Sequence, residues 1–414
     1  MKICIVGCGN QGAGMGGLLL READVERIVL VDSDALRLRA AVEALGSLKG
    51  AMKRPVIDTR QADASEIASV ARAAEGCDLI LNATIPTLNM GIMEASLRTG
   101  AHYIDLFSFS RALPGVPDSE TVEAQLELDG EFKKAGLSAL PCLGISPGWT
   151  TLATKYLVDQ MDTVDSVIVR NIDWIESTEL VALCTPEIML GMWLDPPGPV
   201  YLEEGEVKQR GLLESEEQYE FPPPVGKRLI YTSTSLADAV LTTKFVGKPL
   251  RRLEEKGAVL SGGLSLKDLW ITALQRQTSQ RHGGDNILAV LGSSFRLAAD
   301  MDMQAALKDG TITDGAFASV VEVTGARGGH LTRLTLSCVS RLQEAIRLVP
   351  WAVAAAGVFA TVGTVPIEVL LMLCRGEFIE RGVLPVTSIK NPMELFERMR
   401  GRGHQLAEKS EILN

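Results

Sequence analysis

Three glycines, Gly7, Gly9 and Gly12, directly follow the short apolar and β-branched run KICIV at residues 2–6. Such a run ended by glycine reads as a buried strand. Residues 12–23, with Met15, Leu18 and Leu19 at helical spacing, read as the helix that follows. A second buried strand, RIVLV at 27–31, ends at Asp32, twenty residues past Gly12. Strand, Gly-x-Gly-x-x-Gly, helix, strand and terminal acid form the fingerprint of a dinucleotide-binding βαβ unit. Each part has its own role. Gly7 permits the tight turn, Gly9 lets a pyrophosphate approach the backbone, and Gly12 lets helix and strand pack closely. The helix N-terminus offers free N–H groups and a positive dipole end to the phosphates. Asp32 accepts from the ribose hydroxyls, and its charge opposes a 2′-phosphate. NAD is therefore expected, with NADP as the alternative if Arg37 or Arg39 on the next helix reaches a phosphate.

The alternation continues. Residues 34–45 read as helix, 55–58 as strand, 64–75 as helix, 77–84 as strand, 90–100 as helix and 101–107 as strand. A helix over 118–135, a strand over 137–144 and a loop running into a helix over 146–161 complete the pattern. Short apolar strands alternating with such helices predict an α/β fold, a Rossmann-type doubly wound parallel sheet over residues 1–160. Strand C-termini in such a sheet face the ligand crevice. Asn82, Ala83 and Thr84 are thus expected beside the cofactor ribose, and Asp105 at the same edge.

From 161 the texture changes. VDSVIVRNIDW (164–174) alternates like a half-buried strand, and 195–228 is loop-dominated. Residues 267–277 and 287–301 read as helices, and 317–339 as a hairpin around GARGG. An α+β second domain with an antiparallel sheet is expected over 161–345. Only helices, over 346–400, and a polar tail are expected after that. The stretch 348–374 is long enough to span a bilayer but is rich in Ala and Gly, interrupted by Pro366 and charged at Glu368. Two packed core helices, with Pro366 in the first turn of the second, fit it better.

A net charge of -11 with no long basic run argues against nucleic acid and anionic membranes as partners. Seven cysteines without a CxxC or a Cys/His cluster read as reduced thiols in the cytoplasm, with no metal site. A strand followed by glycines at the start is unlike a signal peptide.

Four segments, KICIVGCGNQG, LILNATIP, GAHYIDL and PCLGISPGWTTL, resemble in order and spacing the saccharopine dehydrogenase-like family of amino-acid and opine dehydrogenases. The resemblance covers the first 155 residues. A looser likeness at TVGTVPIEVLLMLCRGEFIERGVLPV matches the family's closing helices, and RRLEEKGAVL (251–260) is similar to lysine 6-dehydrogenase. The resemblance implies C-terminal helices packed back on the first domain. It also implies a homodimer and hydride transfer between a nicotinamide and the amine-bearing carbon of an amino acid, opine or polyamine. Asn10, Gln11, Gly144 and Pro147 join the expected cofactor contacts.

Asp105 and His330 are the acid–base candidates; His102, His282 and His404 read as packing, surface and tail residues. Arg170 and Arg327 are expected to hold a substrate carboxylate, with Trp193 or Glu187 reaching the pocket. Two alternatives stand beside this reading: a homospermidine synthase-like enzyme that retains NAD, and a non-catalytic NAD-binding sensor or scaffold.

Overall fold

The computed structural model describes residues 1–48, 55–111, 116–179, 181–182, 199–211, 213–233, 237–261, 296–297, 301, 303–349, 358–377 and 380–413. The expected helix at 267–277 lies outside the described residues, as does most of the one at 287–301. Arg296–Leu297 within the latter is a short strand paired in parallel with Val181–Ala182. The chain divides into two compact units. The first is residues 1–156, 236–247 and 361–402; the second is 157–235, 248–360 and 403–414. Residues 236–247 thus join the first unit, and the tail beyond 402 joins the second.

The first unit is built on a parallel sheet. Its strands are β1 (Lys2–Val6), β2 (Arg27–Asp32), β3 (Val56–Gln61), β4 (Leu79–Asn82), β5 (His102–Asp105) and β6 (Ser138–Leu140). A seventh strand, Gly382–Val383, adds to β6, and the order is Gly382–Val383, β6, β5, β4, β1, β2, β3. Every neighbouring pair is parallel. Helices α1 (Asn10–Leu19), α2 (Ala35–Ser47), α3 (Ile67–Ala73), α4 (Asn89–Thr99), α5 (Val122–Glu127), α6 (Asp129–Ala135) and α7 (Trp149–Asp159) connect or follow them. Covering by helices explains why β1, β2 and β4 read as unbroken apolar runs: Ile3, Ile5, Val29, Leu30, Ile80 and Leu81 are all fully buried. The single helix expected over 118–135 is instead a 3-10 turn, Asp118–Glu120, followed by α5 and α6. The break falls at Leu128, whose ψ of 3° departs from helical geometry.

A further expectation is corrected here. One helix, Val358–Cys374, runs through Pro366 where two were expected. Pro366 removes a backbone donor, but Val365, Ile367, Val369 and Leu370 around it are fully buried, so packing outweighs that loss. Among the described residues no helix is long and apolar enough to cross a membrane.

The second unit carries a mixed sheet. Its long strands are β7 (Ser166–Ser177), β8 (Arg252–Ser261), β9 (Ile312–Arg327), β10 (His330–Arg341) and β11 (Gln405–Ile412). The order β8, β7, β9, β10, β11 is antiparallel except for β8 and β7, which are parallel. The region expected to be loop contains paired strands, Val200–Glu203 with Glu206–Gln209 and Glu217–Phe221 with Gly226–Thr232. The polar tail is the edge strand β11, hydrogen-bonded to β10 from Thr332 to Val339. Its side chains are mostly exposed, so backbone pairing rather than apolar burial forms it, and a hydrophobic pattern cannot reveal it. The β9–β10 turn is only Gly328 and Gly329, both with positive φ (57° and 81°), because Arg327 already pairs with His330. That is the geometry of a tight two-residue hairpin turn.

Candidate active site

The glycine loop is closed by the fold around it. Gly7 has φ 91° and donates its N–H to the Val31 carbonyl at 2.8 Å. A Cβ on Gly12 would lie 1.8 Å from the Gly7 carbonyl oxygen, so helix α1 and the loop touch backbone to backbone there. A Cβ on Gly9 would meet nothing within 4 Å. The close approach at Gly12 is therefore internal to the protein, whereas the space beside Gly9 is open. Gly9 is also the N-cap of α1, and no side chain caps that end. The first N–H groups of α1 are left for an external partner. Asn10 is exposed, and Gln11 Oε1 is buried without a hydrogen-bond partner among the described residues.

Asp32, 8% exposed, stands at the end of β2. Its Oδ2 accepts the Cys8 N–H at 2.8 Å and its Oδ1 the Asp34 N–H at 2.9 Å. Each oxygen retains a second lone pair for a hydroxyl. Asp34 in turn caps α2, accepting from Leu36 N at 2.7 Å. The Cys8 thiol is pushed up to about 12 by burial and by the Asp32 charge, so it stays protonated. An open space beside Gly9, free helix-end donors and an acid poised at the second strand fit a dinucleotide. Arg37 is exposed and lies 3.9 Å from Asp34. Arg39 lines a separate surface groove with Leu38, Thr59 and Gln61.

The β4 end abuts the glycine loop, since a Cβ on Gly7 would meet the Ala83 carbonyl at 2.8 Å and Thr84 Cγ2 at 3.0 Å. Asn82 was expected to touch the ribose. Its amide is spent inside the protein: Nδ2 donates to Asn89 Oδ1 (2.8 Å) and to the Tyr103 hydroxyl (3.0 Å), and Oδ1 accepts the Thr84 N–H (2.9 Å). Asn82 therefore places Thr84, whose hydroxyl also donates to Asn82 Oδ1 at 2.6 Å.

Asp105 was expected as an acid or base at the open edge. It is 1% exposed and saturated with donors. Oδ2 accepts from Tyr103 (2.9 Å) and Gln125 Nε2 (2.6 Å), and Oδ1 accepts the Cys142 N–H (2.8 Å). Burial nevertheless raises its carboxyl to about 6 against the pull of those donors. Burial together with the Asp105 charge pushes the Tyr103 phenol well above its usual range. Gly144 and Pro147 belong to the loop after β6. There Gly144 pairs with Gly148, and a Cβ on Gly144 would lie 2.5 Å from the Leu106 carbonyl.

The candidates in the second unit fare differently. His330 and Arg327 flank the exposed β9–β10 turn, and the Arg327 guanidinium reaches Ser410 Oγ at 3.5 Å. Arg170 is buried, with Nε 2.9 Å from Glu217 and Nη1 3.6 Å from Glu322, and it stacks 4.4 Å over the Tyr219 ring. Its charge is already answered, which removes the reason to assign it a substrate carboxylate. Trp193, Glu187 and His282 lie outside the described residues. His102 accepts the Ser138 N–H on Nδ1, and burial lowers its pKa. His404 is buried against Ser340. Among the described residues no cluster of metal ligands occurs.

Sequence reasoning missed the buried polar set of Tyr103, Gln125, Asn89 and Cys142, because single polar residues inside apolar elements carry no pattern. It also passed over Asp173, a carboxylate between Ile172 and Trp174 in β7. Burial pushes that carboxyl up to about 8, and its Oδ1 lacks a hydrogen-bond partner among the described residues.

Comparison with known proteins agrees with this geometry. Residues 3–140 match the saccharopine dehydrogenase NADP-binding domain family. Carboxynorspermidine synthase of Vibrio cholerae is 28% identical over 176 residues, 40% of this chain and 42% of that protein. Carboxyaminopropylagmatine dehydrogenase of Synechocystis is 26% identical over 174 residues, 40% of this chain and 41% of that one. The chain thus spans about two fifths of the length of these relatives. The structure of apo saccharopine dehydrogenase (L-Glu forming) from Saccharomyces cerevisiae superposes with a TM-score of 0.69, covering 99% of each chain at 12% identity, which shows a shared fold.

Proposed function

We infer that this chain, whose residues 3–140 belong to the saccharopine dehydrogenase NADP-binding domain family, is a nicotinamide-dependent oxidoreductase acting on a C–N bond. Its substrate class is an amino acid, opine or polyamine. The similarity to carboxynorspermidine synthase and carboxyaminopropylagmatine dehydrogenase favours carboxylated polyamines within that class. The observation that carries the reading is the pairing of open space beside Gly9 with Asp32, both of whose oxygens are oriented by backbone N–H groups.

The residues divide the work. The α1 N-terminus and Gly9 receive the pyrophosphate, Asp32 orients the adenosine ribose, and Thr84 stands at the adjoining strand end. Bound nicotinamide supplies the hydride chemistry, and the protein supplies orientation and charge. Asp32 favours NAD, because a carboxylate held there opposes a 2′-phosphate; NADP remains the alternative that the family description names. A homodimer in the cytoplasm accompanies this reading, and light scattering checks the first of these.

The test is absorbance at 340 nm, the reduced-nicotinamide band, with NAD or NADP across carboxylated polyamines, opines and amino acids, and in reverse with carbonyl–amine pairs. Turnover of a carboxylated polyamine is the expected result. Dinucleotide binding with no net reduced cofactor formed favours an enzyme that retains NAD or a non-catalytic sensor instead.

A further inference from the structure

The polar network at the ends of β4, β5 and β6 lies apart from the Asp32 half of the site, and its centre is Asp105. Two consecutive N–H groups of the following loop bind this one residue. Cys142 N donates to Asp105 Oδ1 and Leu143 N donates to the Asp105 main-chain oxygen, each at 2.8 Å. Cys142 has φ 60°, a left-handed conformation that a non-glycine residue keeps only where its surroundings hold it. Beyond it the loop doubles back, with Gly144 against Gly148 and hard against the Leu106 carbonyl. In the other direction the chain of hydrogen bonds runs from Asp105 through the Tyr103 hydroxyl to Asn82, and from Asn82 to Thr84 beside Gly7.

We propose that Asp105 is a positioning residue that fixes the 142–148 loop against the strand ends bordering the nicotinamide half of the dinucleotide site, and that it is not an acid–base group. This rests on the dinucleotide reading above. An ionised carboxylate is acceptor-only, so it takes the Tyr103, Gln125 and Cys142 donors together. Asparagine keeps Oδ1 for Cys142 but turns an N–H toward Tyr103 and Gln125. Gln125 can answer that change, because its Oε1 is buried without a partner among the described residues and an amide rotation presents it to the new donor. Alanine leaves the Cys142 N–H orphaned and the left-handed turn without its hold.

The experiment measures calorimetric affinity of the full chain for NAD and for ADP-ribose, which lacks the nicotinamide, in wild type, D105A and D105N. D105A is expected to weaken NAD about tenfold or more, with ADP-ribose within about twofold. D105N is expected to show a smaller loss, also confined to NAD, and to keep turnover; it decides the matter alone if D105A does not fold. Equal loss of both ligands, unchanged NAD affinity in both variants, or D105N that binds NAD normally without turnover each overturns the proposal. Wild type that binds neither ligand overturns the dinucleotide reading itself.

Discussion

The Cys8 N–H donates to Asp32 Oδ2 at 2.8 Å, although the two residues are 24 positions apart. That bond ties the glycine loop to the acid at the end of the neighbouring strand, so the proposed pyrophosphate and ribose contacts are set as one rigid piece. The same carboxylate holds Asp34, which begins α2.

Asp32→Ala removes both the ribose acceptor and the charge that repels a 2′-phosphate. NAD affinity is expected to fall about tenfold to a hundredfold, as for a hydrogen bond to a charged group, while NADP affinity changes less. Parallel titrations of both dinucleotides check it, and an unchanged NAD-to-NADP ratio refutes the ribose assignment.

The two glycines of the loop should separate stability from binding. Gly9→Ala adds a methyl where nothing lies within 4 Å and where φ is -69°. Its thermal midpoint should stay near wild type while dinucleotide binding is lost. Gly12→Ala drives a Cβ into the Gly7 carbonyl oxygen, and the first unit should lose several kcal/mol of stability, on the order of the larger core substitutions. Thermal denaturation beside ligand titration distinguishes the two. Equal melting temperatures would contradict the contact at Gly12.

Asp173 supplies a pH prediction. Burial raises its carboxyl from 3.8 to about 8. A raised acid contributes stability that is whole below its unfolded value and lost as pH climbs through its folded one. Stability should therefore decline from about pH 4 to pH 8, and Asp173→Asn should flatten that slope. The variant should gain about 2 kcal/mol at pH 8, a figure reduced for the partial exposure of the residue. Urea unfolding at several pH values measures it, and parallel slopes in both proteins would exclude Asp173 as the source.

Arg170→Met deprives Glu217 and Glu322 of their shared cation, although Lys256 still pairs with Glu217 at 2.9 Å and Arg333 with Glu322 at 3.5 Å. A loss of about 3 kcal/mol is expected, as for a broken buried pair, with substrate KM unaltered. A large rise in KM at unchanged melting temperature would restore Arg170 to substrate binding.

The parts of this protein that rest on local physics are legible in the order of its residues. Apolar runs of strand length, closed by Gly7, by Asp32 and by Asn82, specified β1, β2 and β4, since strands covered on both faces must be apolar throughout. The glycine spacing and Asp32 specified the dinucleotide fingerprint, because a phosphate near the backbone needs those residue types in that order. The hairpin turn was legible from Gly328 and Gly329, the residues that tolerate its positive φ. Tertiary structure decided what depends on partners distant in sequence. The polar segment 405–412 is a strand only because β10 offers it an edge, and the helix around Pro366 is continuous only because its neighbours are buried. Arg170 looks like a free guanidinium until β7 brings it to Glu217 and Glu322. Asp105 looks like an exposed acid until the Cys142 loop closes over it. A side chain's type is written in the sequence, but burial and partners set its charge state and its task, and those exist only once the chain has folded.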